Sequence, residues 1–161
     1  MPTDAEIEAK FWSALESAPT LMLGLDGARD GHTQPMTAQR DGEQGPLWFF
    51  TTKQNGLVQA LGQSHRAIAS YSSKGHDVFG TLHGTMTTDT DPAVIDRLWN
   101  SHVAAWYEGG KTDPNIALLR LDLDKGTFWI DGSSIGAAIS RMFGNDPKDS
   151  YKDNVATVPL S

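Results

Sequence analysis

The residues of this chain that could do chemistry are few, and one candidate group lies near its carboxyl end. Gly132, Ser134 and Gly136 form a G-x-S-x-G pattern between an expected strand and an expected helix, the setting of a nucleophilic serine on a tight turn. Such a hydrolase needs its acid and its histidine later in the chain, whereas the last histidine here is His102. Ser133 or Ser134 is therefore better explained as the cap of the last helix.

Metal chemistry has little support in the sequence. No two of the five histidines stand one helical turn apart or alternate along a strand; they are His32, His65, His76, His83 and His102. The stretch "DLDKGTF" begins like a calcium loop but lacks the sixth-position glycine and the final glutamate, so we interpret it as a hairpin turn. The chain has no cysteine, no Gly-rich phosphate loop and no dinucleotide fingerprint. We expect no metal site.

A second stretch with chemical potential is "GHTQPMTAQ", residues 31–39. It places a proline, a methionine and several hydrogen-bonding side chains inside what otherwise has the pattern of a β-strand. The chain also has five tryptophans, which is many for its length, and most of them are expected in the core or a subunit interface. One or two of them could flank a planar ligand.

Size and charge limit the class of protein. The 161 residues, 39% of them apolar, predict one domain with a sizeable core. Thirteen basic against 20 acidic residues give a formal net charge of −7, which argues against a nucleic-acid or anionic-membrane surface. The amino-terminal residues have neither a leader pattern nor a membrane-length apolar run. We expect a soluble, cytoplasmic protein without a membrane partner.

The elements that must position any site are short strands with a few helices. Thr3 and Glu6 predict a capping box at the start of an amphipathic helix within residues 1–19. Asn55 is expected to cap a crossover helix. Strands are predicted in the segments "TLMLGL", "TQPMTAQ", "LWFFTT", "RAIASYS" and "DVFGTLHGTMTT", with a hairpin around residues 124–126 of "IALLRLDLDKGTFWID".

Two more helices complete the expected order. Asp91 and Pro92 begin one helix through "AVIDRLWNSHVAAWY", whose apolar stripe runs from Val94 to Trp106. Residues 132–161 are expected to form a final helix, "SIGAAISRMFG", and a tail. The whole is predicted to be mainly β (α+β), an antiparallel barrel with flanking helices formed by residues 1–161 as a single domain.

Several segments in order then resemble a known family. The segments "HTQPMTAQ", "LWFFTTKQNGLVQAL", "AIASYSS", "VFGTLHGTM", "IDRLWNSHVAAWYEGG" and "DPNIALLRLDLDKGTFWIDG" resemble the general stress proteins of the pyridoxamine 5′-phosphate oxidase-like, FMN-binding split-barrel superfamily. The resemblance spans about residues 11–138. It implies a six-stranded split barrel that forms a homodimer with two FMN sites at the subunit interface.

The resemblance also implies a set of binding residues and a chemistry. The strand from Gln34 to Gln39 would run along the flavin, and the hydroxyls after Phe50 would face the phosphate. The implied FMN-binding residues are Gln34, Pro35, Met36, Thr37, Phe50, Thr51, Thr52, Lys53, Leu57 and Trp129. Because a bound flavin would be the redox centre, no nucleophilic side chain is required, and a flavin-dependent oxidoreductase acting on an undefined small molecule is expected.

Three positions depart from the pattern of the family. Gln34 stands where relatives have an arginine, and Gly56 and Leu57 stand where they have basic residues; these lost groups bind phosphate in the family. Lys53, Arg40, Arg66 or His65 could compensate in part. The alternative is a non-enzymatic ligand-binding dimer that has lost or weakened its affinity for FMN.

Overall fold

A computed structural model describes residues 2–43, 45–130 and 155–160. The helices are α1 (Asp4–Ser17), α2 (Gly56–Leu61), α3 (Pro92–Leu98) and α4 (Ser101–Ala104). The strands are β1 (Thr20–Leu25), β2 (Thr33–Thr37), β3 (Gln39–Arg40), β4 (Leu47–Thr52), β5 (Ser64–Ser72), β6 (Val78–Thr88), β7 (Ile116–Ile130) and β8 (Val155–Pro159).

Helix α1 begins and packs as its sequence predicts. The Glu6 amide donates to the Thr3 hydroxyl and the Thr3 amide donates to the Glu6 carboxylate, which completes the capping box. The apolar positions four residues apart are buried, with Phe11 fully enclosed. The Phe11 ring lies 4.9 Å from that of Phe128, so the helix packs onto the inner face of the sheet.

The strands form one antiparallel sheet in the order β2-β1-β5-β6-β7-β4-β3, with β8 added beside β7. Its inner face encloses the main core, which includes Leu23, Phe49, Leu82 and Phe128. The predicted antiparallel split barrel is confirmed, but the described part of the chain contributes eight strands to the sheet where six were expected. The two extra strands are the two-residue β3 and β8, which lies in the segment predicted as helix and tail.

The predicted hairpin around residues 124–126 is wrong. β7 continues through this segment and pairs with β6 along nearly its whole length. The register shifts between His83 and Gly84, where Asp124 is the extra residue of a bulge. A Cβ on Gly84 would lie 2.3 Å from the Asp122 carbonyl oxygen, so the glycine lets the two backbones approach. The segment "DKG" has the composition of a turn but forms a bulge, because β7 pairs with β6 on both sides of it and the strand does not reverse direction.

The single helix predicted from Asp91 to Tyr107 is also wrong in part. It divides into α3 and α4 at Trp99 and Asn100, where the Asn100 side chain accepts from the Val103 amide and begins a new helix. Trp106, assigned by pattern to the apolar stripe, follows α4 and is 82% exposed. A local side-chain cap therefore overrides the continuous helical periodicity.

Helices α3 and α4 cover the outer face of β4 and the first half of β7. Trp48 of β4 and Leu118 of β7 join Val94, Ile95 and Val103 in a second apolar cluster. None of the helices within the described ranges is both long and apolar enough to cross a membrane. The predicted last helix, with its G-x-S-x-G pattern, lies outside the described residues.

Candidate functional site

Strand β2 is an edge strand, and this explains why it accepts a proline. The Ala38 amide donates to the Pro19 carbonyl. In an antiparallel pair every second residue is hydrogen-bonded to the neighbouring strand, so Met36 and Gln34 also form hydrogen bonds with β1. The peptide groups of Pro35 and Thr37 then point away from β1. Proline is tolerated because its missing N–H would face this open edge. Within residues 2–43, 45–130 and 155–160 these outward groups have no partner in the sheet, so β2 can offer them to another molecule.

Asn55 connects this edge to the end of β4. Its Oδ1 accepts from the Leu57 amide at 2.9 Å, which caps α2, and from Gln34 Nε2 at 3.1 Å. Its Nδ2 donates to the Thr51 hydroxyl at 3.0 Å. We call Gln34, Asn55 and Thr51 the amide bridge. Both ends of the Asn55 amide are used, so the bridge holds β2 and the β4–α2 turn in a fixed relation.

Tyr107 fixes the backbone of Thr51, the β4 member of the amide bridge. Its hydroxyl donates to the Thr51 carbonyl at 2.6 Å. Burial, together with the negative charge of Asp113, raises the pKa of Tyr107 to about 12. The phenol therefore stays protonated and continues to donate across the ordinary pH range.

The connection between β1 and β2 brings Arg29 to the same place. Four residues of this turn have positive φ: Gly27 at 73°, Arg29 at 54°, Asp30 at 53° and Gly31 at 70°. Two of them are not glycine, and such residues cost about 1–2 kcal/mol each in this region. The half-buried Arg29 side chain has an Nη1 atom that is closed to solvent and has no hydrogen-bond partner among the residues that the structure describes.

Gly56 provides the space into which Arg29 extends. A Cβ placed on Gly56 would lie 3.0 Å from Nη2 of Arg29 and 3.7 Å from its Cζ. The guanidinium therefore lies against the first residue of α2, one position after the Asn55 that anchors the amide bridge. We call Arg29, Gln34, Asn55 and Gly56, together with the outward edge of β2 as far as Thr37, the edge site.

The residues implied by the family resemblance divide into two groups. Gln34 and Thr51 belong to the amide bridge, while Pro35 and Thr37 lie exposed on the edge strand. Thr52 ends β4, and Lys53 is exposed in the turn that follows it. Gln34 and Thr51 meet at Asn55, while Thr37 is at the far end of β2.

The other members of that set lie elsewhere. The side chains of Met36 and Leu57 are in the main core, and Leu57 is fully buried. The Phe50 ring packs against Trp99 and Tyr107 in the second cluster. Trp129 lies on the outer face of β7, opposite Phe79, and three strands separate β7 from β2. Within one chain, Trp129 is therefore remote from the edge site.

Sequence reasoning missed Arg29 and named other cations. Arg40 lies over the Trp12 ring at 4.8 Å, and Arg66 is ion-paired with Asp124 at 2.6 Å. Arg29 lies between two predicted strands, and neither charge nor spacing shows where a loop side chain will point. The one available signal was an arginine between glycines, close before the edge strand.

Metal ligands are not gathered at this site. Within residues 2–43, 45–130 and 155–160, no three histidine, cysteine, aspartate or glutamate side chains stand close enough to hold an ion. The chemistry offered by the edge site is that of hydrogen bonds and one cation.

Comparison with known proteins agrees with this architecture. The family described as "Pyridoxamine 5′-phosphate oxidase like" matches residues 6–148, so the chain belongs to the pyridoxamine 5′-phosphate oxidase-like family. The resemblance found in the sequence is thereby confirmed. No protein of curated function matches the chain.

Three solved structures show which branch is similar. A general stress FMN/FAD binding protein of Xanthomonas citri is 60% identical, covering 81% of this chain and 92% of its own, with a TM-score of 0.76. A general stress family protein of Xanthomonas campestris pv. campestris is 58% identical over 83% and 93%, with a TM-score of 0.78. General stress protein 26 of Jannaschia sp. CCS1 is 28% identical over 98% and 100%, with a TM-score of 0.79.

Proposed function

We propose that this chain binds a flavin, FMN in the first instance, at the edge site. The observation that carries the proposal is the open edge of β2, where outward peptide groups lie beside the amide bridge. A flavin ring has several hydrogen-bonding atoms along one edge, which such backbone groups can satisfy. The 60% identity to a protein named for FMN/FAD binding supports the same ligand class.

The residues present fit a phosphorylated flavin. The half-buried Arg29 guanidinium has no ion-pair partner among the described residues, so its charge is available to an anionic group. Gln34 and Asn55 fix the strand and turn that flank it, so a ligand would meet a preformed surface. When bound, a flavin supplies redox chemistry, while the protein positions it and excludes water.

The proposal also includes a redox activity for the bound flavin. A flavin-dependent oxidoreductase is favoured because a bound flavin can exchange electrons without a protein nucleophile. The protein's own groups, the β2 backbone and the amide bridge, would orient the ring. Pyridoxamine phosphate oxidation is not assigned, since the likeness is to general stress proteins. A cytoplasmic location stays a prediction.

The second copy is proposed to cover the outer face of the sheet. Residues that alternate with the buried ones face away from the core, and they form two rows across the strands without a charged side chain. One row, from β1 to β8, consists of Met22, Ser70, Thr81, Thr127 and Thr157. The other, from β5 to β8, consists of Ser72, Phe79, Trp129 and Val155. Met22 is 40% and Phe79 43% exposed. Depletion of charge with exposed apolar groups is typical of subunit interfaces.

The alternative keeps this dimer without a flavin. It is favoured by the uncharged residues at positions 34, 56 and 57. Restoring a lysine at position 57 would not test it cleanly, because the Leu57 side chain is fully buried in the main core. The two candidates are separated by binding to the unmodified protein.

The test is the visible absorbance of the protein as purified, followed by titration of the stripped protein with FMN. We expect a flavin spectrum, or saturable quenching of FMN fluorescence at micromolar concentration with one flavin per chain. Colourless protein that fails to quench added FMN would contradict flavin binding and leave the ligand-binding alternative.

A further inference from the structure

We infer that Arg29 binds the phosphate group of the ligand at the edge site, in the space that Gly56 leaves for its guanidinium. This inference rests on the proposed function for the identity of the ligand, but not for the presence of an anion site. Neither β2 nor α2 contains a basic residue that could bind phosphate. Arg29, in the turn between β1 and β2, would supply that positive charge.

The first support is the state of the Arg29 guanidinium. Its Nη1 is closed to solvent and has no hydrogen-bond partner within the described ranges. No carboxylate of the described residues forms an ion pair with it, although six other ion pairs are present there. A guanidinium that is partly desolvated and left unpaired is costly, so an anionic partner would be strongly favoured.

The second support is the room left by Gly56. Any larger residue would bring its Cβ to 3.0 Å from Nη2, a tight contact that the guanidinium would have to move to relieve. The glycine opens α2, where it has no intrinsic advantage over alanine. Its presence is explained if the guanidinium must lie close to the first residue of α2.

The third support is the surroundings of the guanidinium. The amide bridge lies next to Gly56 along the chain and adds neutral hydrogen-bonding groups without adding a negative charge. A guanidinium beside neutral donors suits phosphate, which accepts two parallel hydrogen bonds from one arginine. The other arginines considered from the sequence, Arg40 and Arg66, already have partners.

The experiment compares Arg29→Gln with Arg66→Gln, a matched loss of charge at an exposed arginine. Each purified protein is titrated with FMN and with riboflavin, which lacks the phosphate. We expect Arg29→Gln to weaken FMN binding by about 10- to 100-fold, from the loss of charged hydrogen bonds, and to leave riboflavin binding unchanged. Arg66→Gln should change neither.

Thermal unfolding distinguishes ligand binding from a structural role. Without ligand, Arg29→Gln should melt at the same or a higher temperature than the natural protein, because an unpaired cation is removed. Arg29→Lys keeps the charge but not the paired donors, so it should fall between the two in FMN affinity. A lower melting temperature combined with equal loss of both flavins would overturn the inference.

Inorganic phosphate provides a readout that needs no flavin. Millimolar phosphate should raise the melting temperature of the natural protein and of Arg66→Gln but not of Arg29→Gln. If no flavin binds while this phosphate effect persists, the proposed function fails and the Arg29 site stands. If FMN binds equally well to Arg29→Gln, the Arg29 site fails and flavin binding stands.

Discussion

Asn55 is the residue on which the edge site depends most. One side-chain amide caps α2, accepts from Gln34 and donates to Thr51. Its role as a cap was predicted from the sequence, because asparagine before a run of apolar residues at helical spacing is a local signal. Its contact with Gln34, 21 positions away in the chain, was not predictable, since it depends on how β2 and β4 approach.

Asn55→Ala should therefore have two effects. Loss of the cap should lower the free energy of unfolding by about 0.5–2 kcal/mol, and loss of the bridge should weaken FMN binding. Urea unfolding and FMN titration measure the two effects. Asn100→Ala is the matched control, because Asn100 also caps a helix, α4, and its other hydrogen bonds, to Gln39 and Leu98, do not involve the amide bridge. It should lose similar stability with no change in affinity. Equal affinity in both variants would contradict a binding role for the bridge.

Tyr107 gives the site a predictable response to alkali. Burial raises its pKa to about 12, whereas an unfolded tyrosine titrates near 10. Between these values the unfolded chain releases a proton that the folded chain keeps. Stability from this group is thus complete below about pH 10 and declines as pH rises, by roughly 1 kcal/mol per pH unit.

Tyr107→Phe isolates this effect from other groups that titrate in alkali. It should cost about 1 kcal/mol at neutral pH through the lost hydrogen bond to Thr51. Urea unfolding at pH 9 and pH ~11 should then show a smaller decline for the variant than for the natural protein. Identical declines would show that Tyr107 is not protected from ionisation by the fold.

At the scale of elements, β6 and β7 show both the reach and the limit of sequence patterns. The strand character of β6 was predicted from the sequence and is confirmed. The same reasoning broke β7 into a hairpin, because "DKG" has turn composition. Whether such a segment turns or continues as a strand depends on the partner strand, which local composition does not specify.

Gly84→Ala tests this account of the bulge. The new Cβ would lie 2.3 Å from the Asp122 carbonyl oxygen, a backbone atom that cannot move alone. We expect a loss of about 1–3 kcal/mol in unfolding free energy, the usual cost of overpacking. Gly75→Ala is the control, because its Cβ would make only an ordinary 3.5 Å contact with Asp77. Similar stability of the two variants would show that β6 and β7 are not closely apposed at Gly84.

At the scale of the whole molecule, the sequence identified the family and the barrel but not the completed site. The resemblance rested on the order of several segments, and the match over residues 6–148 confirmed it. It transferred ten binding positions, of which Met36 and Leu57 proved to be core residues and Phe50 a member of the second cluster. Arg29 was missed because its position depends on consecutive residues with positive φ, which no sequence pattern indicates.

The outer face provides a test of assembly. Light scattering should show a dimer for the natural protein, and Phe79→Glu should shift it to a monomer, because a charge is placed in an uncharged, partly exposed row. Trp106→Glu is the control, since Trp106 is 82% exposed and outside these rows. A monomeric natural protein, or a dimer unaffected by Phe79→Glu, would contradict the proposed interface.

The central claim is that a flavin lies along the open edge of β2, and amide NMR of the protein during FMN titration tests it most directly. The account predicts the largest shifts at the Thr37 backbone amide and the side-chain amides of Gln34 and Asn55, with saturation at one FMN per chain. Saturable binding whose shifts leave these three groups unchanged would place the flavin elsewhere and contradict the account.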